Sequence, residues 1–312
     1  MKKGRIFTNC LYFVCTLVAA ISFASCSADS DSSYSGIDEK VIDNASSQAD
    51  ASFSVVLKAY SDNKDITVKG DVDQTTLFVF DQNNDFYKQV TLDRTYLLQA
   101  KPVEISCPGS KQITVVAWAG LSSDSEEISA MSQANIISDL QVSLKQNNGV
   151  AAALPGDLFY GQATLKSAST KSGAETLKIE RKVSSISLIT KSVIKVLDSK
   201  EGNFYYKVKN TKGSFNHNGE LTGENIEYII PATLNEKGNV VAENSAILPA
   251  SDVTIELYKD DIMILSSKNV KNSEKVSVNE GEQSEITFDL SKNNCNIVVA
   301  DWGTVITHVT IG

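Results

Sequence analysis

Leu77-Phe78-Val79-Phe80-Asp81-Gln82-Asn83-Asn84-Asp85-Phe86, continuing to Leu92, decides the fold class of this chain. Leu77 to Phe80 is a continuous apolar run. Asp81 to Asp85 supply a turn, and Phe86 to Leu92 form the returning strand, so the stretch is a hairpin. Upstream, Phe53, Val55, Leu57 and Ala59 alternate with mostly polar residues, the period of a half-buried strand. Downstream, Lys101 to Ser106 and Gln112 to Ala119 are strands parted by the turn pair Pro108-Gly109. Leu158 to Leu165 adds another.

Residues 122–144 have a different pattern. Glu126, Glu127, Ile128, Met131, Ile136, Ile137 and Leu140 suggest one or two short helices in a crossing loop, and Gln146 to Pro155 a flexible connection. Small polar residues from Ser167 to Gly173 mark a domain boundary. The division is therefore 51–172 and 173–312. The second part opens with Leu177, Ile179, Arg181 and Val183 in alternation, then slips in phase to Ile186 and Leu188, as a β-bulge allows. Phe204 to Val208, Ile226 to Ile230, Val253 to Tyr258, Ile262 to Ser266, Lys275 to Val278 and Glu285 to Leu290 are further strands. Many short strands between Asn, Gly and Lys turns indicate β-sandwiches, and no strand–helix alternation supports a parallel sheet. After the apolar Ile297 to Ala300, Asp301-Trp302-Gly303 breaks the pattern. Val305, Val309 and Ile311 then alternate, with Thr307 between them. This last strand either pairs within its own sheet or is donated to a neighbour.

The amino terminus sets the cellular context. Lys2, Lys3 and Arg5 precede an apolar run from Cys10 to Ala24, which is short for a transmembrane helix and fits a secretory signal. Phe23-Ala24-Ser25-Cys26 completes the order of a bacterial lipoprotein signal. Residues 1–25 are then the signal peptide and Cys26 the lipidated first residue; the alternative is ordinary signal cleavage that releases a soluble protein. Covalent fatty chains are the anchor; each buried methylene contributes about 0.8 kcal/mol, and two or more chains hold firmly. Residues 26–50 open as a polar acidic tether without a hydrophobic face. Asp29 and Asp31 resemble the acidic surface-export signal of Bacteroidetes lipoproteins. Taking Lys2, Lys3 and Arg5 from 29 basic residues leaves 26 against 38 acidic, a mature charge of −12. That balance argues against nucleic acid as a partner. Cys107 and Cys295 remain, far apart in sequence and outside any metal-ligand spacing, so buried thiols are expected over a disulfide.

Leu77-Phe78-Val79-Phe80-Asp81, Val116-Ala117-Trp118-Ala119-Gly120-Leu121, Asp157-Leu158-Phe159-Tyr160-Gly161 and the strand around Arg181 together resemble the FimB-type fimbrial anchor family of Bacteroidetes. The resemblance covers roughly residues 50–310. It implies two tandem transthyretin-like β-sandwich domains and assembly by strand exchange, a carboxy-terminal strand of one subunit filling a groove in the next. It also implies that stalk subunits lose their first strand to a trypsin-like, often arginine-specific protease, whereas anchors keep both that strand and the lipid. No arginine lies between Cys26 and Arg94, though Lys40, Lys58, Lys64 and Lys69 do.

Other chemistry is weak. His217 sits in the turn Asn216-His217-Asn218-Gly219, and His308 lies in the terminal strand. Asp81 to Asp85 resembles a calcium loop but has Phe86 and Leu92 where glycine and glutamate belong. Trp118 and Trp302 read as core rings rather than sugar platforms, and Arg181 as one half of a half-buried ion pair with a carboxylate. The expected molecule is non-enzymatic, with no cofactor or metal beyond the lipid on Cys26. It is an outer-membrane, surface-exposed fimbrial subunit, the anchor that ends the fibre. Its partners are stalk or accessory pilins, met through Val305, Thr307, Val309 and Ile311, and the membrane, met through lipid. The alternative is a surface adhesin or tip subunit binding glycan or host protein.

Overall fold

The computed structural model describes residues 51–167, 173–197, 200–273 and 275–306. Cys26, the signal and the tether lie outside the described residues. The fold is all-β, as expected, in two sandwich domains.

Six strands come first: β1 (Ser52–Ser61), β2 (Lys64–Asp65), β3 (Gln74–Phe80), β4 (Phe86–Asp93), β5 (Val103–Ser106) and β6 (Gln112–Ala119). Four short ones follow: β7 (Glu126–Ile128), β8 (Val142–Leu144), β9 (Gln146–Asn147) and β10 (Val150–Ala151). Then come β11 (Phe159–Lys166) and β12 (Glu175–Arg181). The first sheet runs β2-β1-β12-β11-β6-β3-β4, with β5 beside β1. Phe53, Val55 and Leu57 of β1 share one core with Leu77 and Val79 of β3 and Ile113 of β6, so the sheet folds over on itself. A five-residue helix, α1 (Arg94–Leu98), crosses from β4, capped by the Asp93 carboxylate accepting from Thr95 N–H at 2.8 Å.

The second domain holds β13 (Ser184–Lys191), β14 (Phe204–Phe215), β15 (Leu221–Leu234), β16 (Val240–Ile247), β17 (Thr254–Lys259), β18 (Ile262–Ser266), β19 (Glu282–Asp289) and β20 (Asn294–Asp301). Their order is β18-β17-β14-β15-β16-β13-β19-β20. Most of β15 pairs with β14, but its end, Thr233 and Leu234, pairs with β16. That switch makes two layers from one path. Tyr206 and Tyr228 are buried in the core. The Tyr206 hydroxyl donates to Val240 C=O at 3.1 Å, and that of Tyr228 accepts from Leu248 N–H at 3.1 Å.

Several expectations change; among them, Gln146 to Pro155 holds the paired β9 and β10 where the sequence suggests a flexible connection. The domains do not divide at 172/173. β12 closes the first sheet, parallel to β1 from Val55↔Glu175 to Tyr60↔Glu180, and the crossing falls at Lys182–Val183. The phase slip between Arg181 and Ile186 marks this crossing. The associated bulge lies in β16, where Glu243 and Asn244, between the paired Ala242 and Ser245, oppose the single residue Ser187. Residues 122–144 form β7, a 3-10 turn (Ile137–Asp139) and β8 instead of α-helices. Backbone groups there bond across strands, and Glu126 is buried accepting from Ser122 N–H (2.8 Å), Ser125 Oγ (3.0 Å) and Gly156 N–H (2.9 Å). β8 then joins β14, and β10 joins β15, so this segment serves the second domain.

The apolar runs of β3 and β6 follow from this arrangement. Leu77, Val79, Val115 and Ala117 face the first core, while Phe78, Phe80, Val116 and Trp118 face the second. The Trp118 ring lies 5.0 Å from Tyr160 and 5.3 Å from Phe215. Tyr160 also donates to the His217 carbonyl at 2.9 Å, docking the β14–β15 turn on the first domain.

Candidate functional site: the domain junction and the carboxy-terminal root

Three of the motifs noted in the sequence converge at the junction. Gly120 ends β6 with φ +75°, and a Cβ there would collide with the Asp157 carbonyl. Gly161 in β11 lies against the Lys178 carbonyl of β12, again with no room for a Cβ. These close approaches set the 157–161 segment beside Arg181, the last residue of β12.

Arg181 makes the ion pair its sequence position suggests, and is more deeply buried than the half-buried pair expected. Its Nε–H donates to Asp157 Oδ1 at 2.7 Å and an NH2 proton to Oδ2 at 2.8 Å, a bidentate pair. NH1 donates to Ser61 Oγ at 2.8 Å, and Asp71 stands 3.8 Å from NH2. The guanidinium packs against two rings: Phe159 at 4.8 Å and Trp302 at 4.4 Å. Burial pushes the Asp157 carboxyl above the ordinary aspartate range, against the opposing pull of Arg181. A cleft of about 670 Å³ opens here, lined among others by Ser61, Asp71, Asp157, Arg181 and Trp302.

β20 reaches the same place from the other domain. It pairs with β19 over eight residue pairs, Glu282↔Asp301 to Asp289↔Asn294, and is the sheet's edge strand. Val299 is half exposed on it. Asp301 pairs with Lys64 of the first domain. The chain then turns: Thr304 N–H donates to Asp301 C=O at 3.0 Å, and Gly303 has φ +77°. Val305 is 81% exposed beyond the turn. Thr307, Val309 and Ile311 lie outside the described residues, as does His308.

The remaining candidates have structural roles. Asp81 Oδ1 accepts from Asn83 N–H (2.8 Å) and Asp85 N–H (3.0 Å), which closes an Asx-turn. His217 lies in the docked turn. Trp118 is fully buried as expected, but its Nε1 has no hydrogen-bond acceptor among the described residues. Cys107 and Cys295 are buried, unbridged thiols in separate cores. Sequence reading did not identify Trp302 as the cover over Arg181, nor Ser61, Lys64 and Asp71 as junction residues. The only signal was the Asp301-Trp302-Gly303 break itself.

This body, two β-sandwiches locked at one junction, defines a tandem β-sandwich protein. The Porphyromonas gingivalis fimbrial anchor protein Mfa2 superposes with TM-score 0.59 at 14% identity, over 80% of this chain and 97% of that one. A Bacteroides thetaiotaomicron structure described as a candidate polysaccharide-binding protein gives 0.63 at 17% identity, over 82% and 98%. Residues 45–308 match the model of the fimbrillin-A associated anchor proteins Mfa1 and Mfa2, and the chain belongs to that family. The major fimbrium anchoring subunit FimB of Porphyromonas gingivalis is 24% identical over 260 residues, 80% of this chain and 84% of that protein. The family is structural rather than enzymatic.

Proposed function

We propose that this protein is the lipid-anchored subunit that ends a fimbrium at the outer membrane, joined to the adjacent pilin by a donated carboxy-terminal strand. The carrying observation is the exit of that segment: β20 is an edge strand, and Val305 stands 81% exposed just past its turn. Each Val or Ile side chain buried in a partner's groove contributes roughly 1.5–3 kcal/mol, and each ladder hydrogen bond roughly 0.5–1.5 kcal/mol. Strand addition of this kind draws specificity from pockets for alternate side chains.

The role of terminator is supported by β1. It fills its own slot, bonded to β12 on one side and to β5 and β2 on the other. Phe53, Val55, Leu57 and Ala59 are each at most 2% exposed. A subunit that retains this strand offers no vacant groove there, so the fibre stops. The Cys26 signal supplies the complementary membrane link.

A photo-crosslinking residue at Val305, introduced in cells that assemble fimbriae, tests the reading. A crosslink to a pilin of the fibre is expected. Crosslinks formed only within the same chain would exclude donation. Fatty-acid labelling that is retained in Cys26→Ala would separately exclude lipid at that residue.

A further inference from the structure

We infer that Trp302 and Arg181 form a mechanical clamp that passes tension on the carboxy-terminal segment into the first domain, protecting β20 from being peeled off its sheet. The purpose of this clamp rests on the donated-strand reading; its existence does not.

β20 ends at Asp301, and the 301–304 turn then redirects the chain. A pull on Val305 is therefore not aligned with β20. Such a load opens an antiparallel ladder from its end, one bonded pair after another, rather than shearing all pairs together. Among the described residues β20 has a ladder partner on one side only, its other side carrying a single bridge, Lys271↔Asn294, at the end away from the turn. Without reinforcement its first pair, Glu282↔Asp301, would take the whole load.

Trp302 lies between that pair and the pulled segment. Its ring centroid lies 4.4 Å from the guanidinium carbon of Arg181, and that of Phe159 lies 4.8 Å from it. Arg181 cannot yield easily. Its side chain is 2% exposed and its fork is held by both Asp157 oxygens. It also ends β12, which lies between β1 and β11 in the first sheet. With the guanidinium buried, this cation–π contact is stronger than one between fully exposed groups. Lys64 holds Asp301 from the same domain, beside the clamp. Tension thus reaches a central strand of one domain before it reaches the edge strand of the other.

Single-molecule pulling on the mature chain produced without lipid tests the clamp. The Cys26 thiol takes one handle and Val305→Cys the other. Otherwise unaltered protein should show no extension step before the body unfolds. Trp302→Ala should show an early low-force step from release of up to the eight residues of β20, each adding roughly 3.3–3.6 Å of chain. Trp302→Phe should restore unaltered behaviour, since an aromatic face remains. Arg181→Lys, which keeps charge but not the planar fork, should show the early step at intermediate force. An identical trace for Trp302→Ala and the unaltered chain would overturn the proposal, as would an early β20 step in the unaltered chain. No partner is needed, so a failed crosslink at Val305 and a missing early step are separable results.

Discussion

Lys64 and Asp301 show what a surface pair can do at a junction. The hydrogen bond and charge of Lys64 hold the Asp301 carboxyl below its ordinary value, and the same pairing raises Lys64. The signs determine the pH window. A depressed carboxyl contributes stability present above its unfolded value, about 3.9, and lost as pH falls through the folded one. A raised ammonium contributes stability present below about 10.4 and lost as pH rises through its folded value. The pair therefore helps across neutral pH and fails at both extremes. Lys64→Met should be less stable than the unaltered chain at neutral pH, by a small amount because both side chains are exposed. Urea titrations at neutral and strongly acidic pH should show that difference shrinking in acid, and again in high salt. A difference that persists unchanged in acid would rule out the pair as its source.

At the scale of elements, β1 and β20 contrast as a core strand and an edge strand. Leu57 on β1 is fully buried, so Leu57→Ala should cost about 2–5 kcal/mol. Val299 on β20 is 52% exposed, and Val299→Thr should stay within about 0.5 kcal/mol. Denaturant midpoints check both, and equal costs would contradict the assignment of β1 as core and β20 as edge. Much of this was legible beforehand. The 77–92 hairpin, the alternation in β1 and the strand at 262–266 are periodic signals that tertiary context preserves. β16 was missed because Glu243-Asn244-Ser245 breaks its alternation, and the reason is the bulge opposite Ile186 and Leu188. Lys275 to Val278 reads as a strand but makes only an isolated bridge at Val278. The helical look of 122–144 came from Ile128, Met131 and Ile137 reaching the second core from strands and turns. Apolar spacing records which residues are buried, and a covering segment can bury that set without helical backbone. For the junction, Arg181 was legible as a half-buried cation within an apolar alternation. Trp302 and Lys64 were not, because they meet it from remote parts of the chain.

At the scale of the molecule, the two sandwiches share a surface too apolar to part in water. Phe78, Phe80, Val116 and Trp118 project from the first sheet into the second core, and Tyr160 grips the His217 turn. Separating the domains would expose those four side chains together, each worth roughly 1.5–3 kcal/mol of burial. The body should accordingly unfold as one cooperative unit, in contrast to domains on a flexible linker. Trp118 is the test because it is fully buried and touches Phe215 across the boundary. Trp118→Ala should cost about 3–5 kcal/mol, and calorimetry should resolve its single transition into two as the shared face loosens. A variant destabilised by that amount yet still melting in one transition would place the coupling elsewhere, in the Arg181 cluster or the Lys64–Asp301 pair. Two transitions in the unaltered chain would mean that the shared core does not couple the domains. Coupling matters for an anchor, because load arriving at the root of β20 can be resisted by both sandwiches only if they yield together.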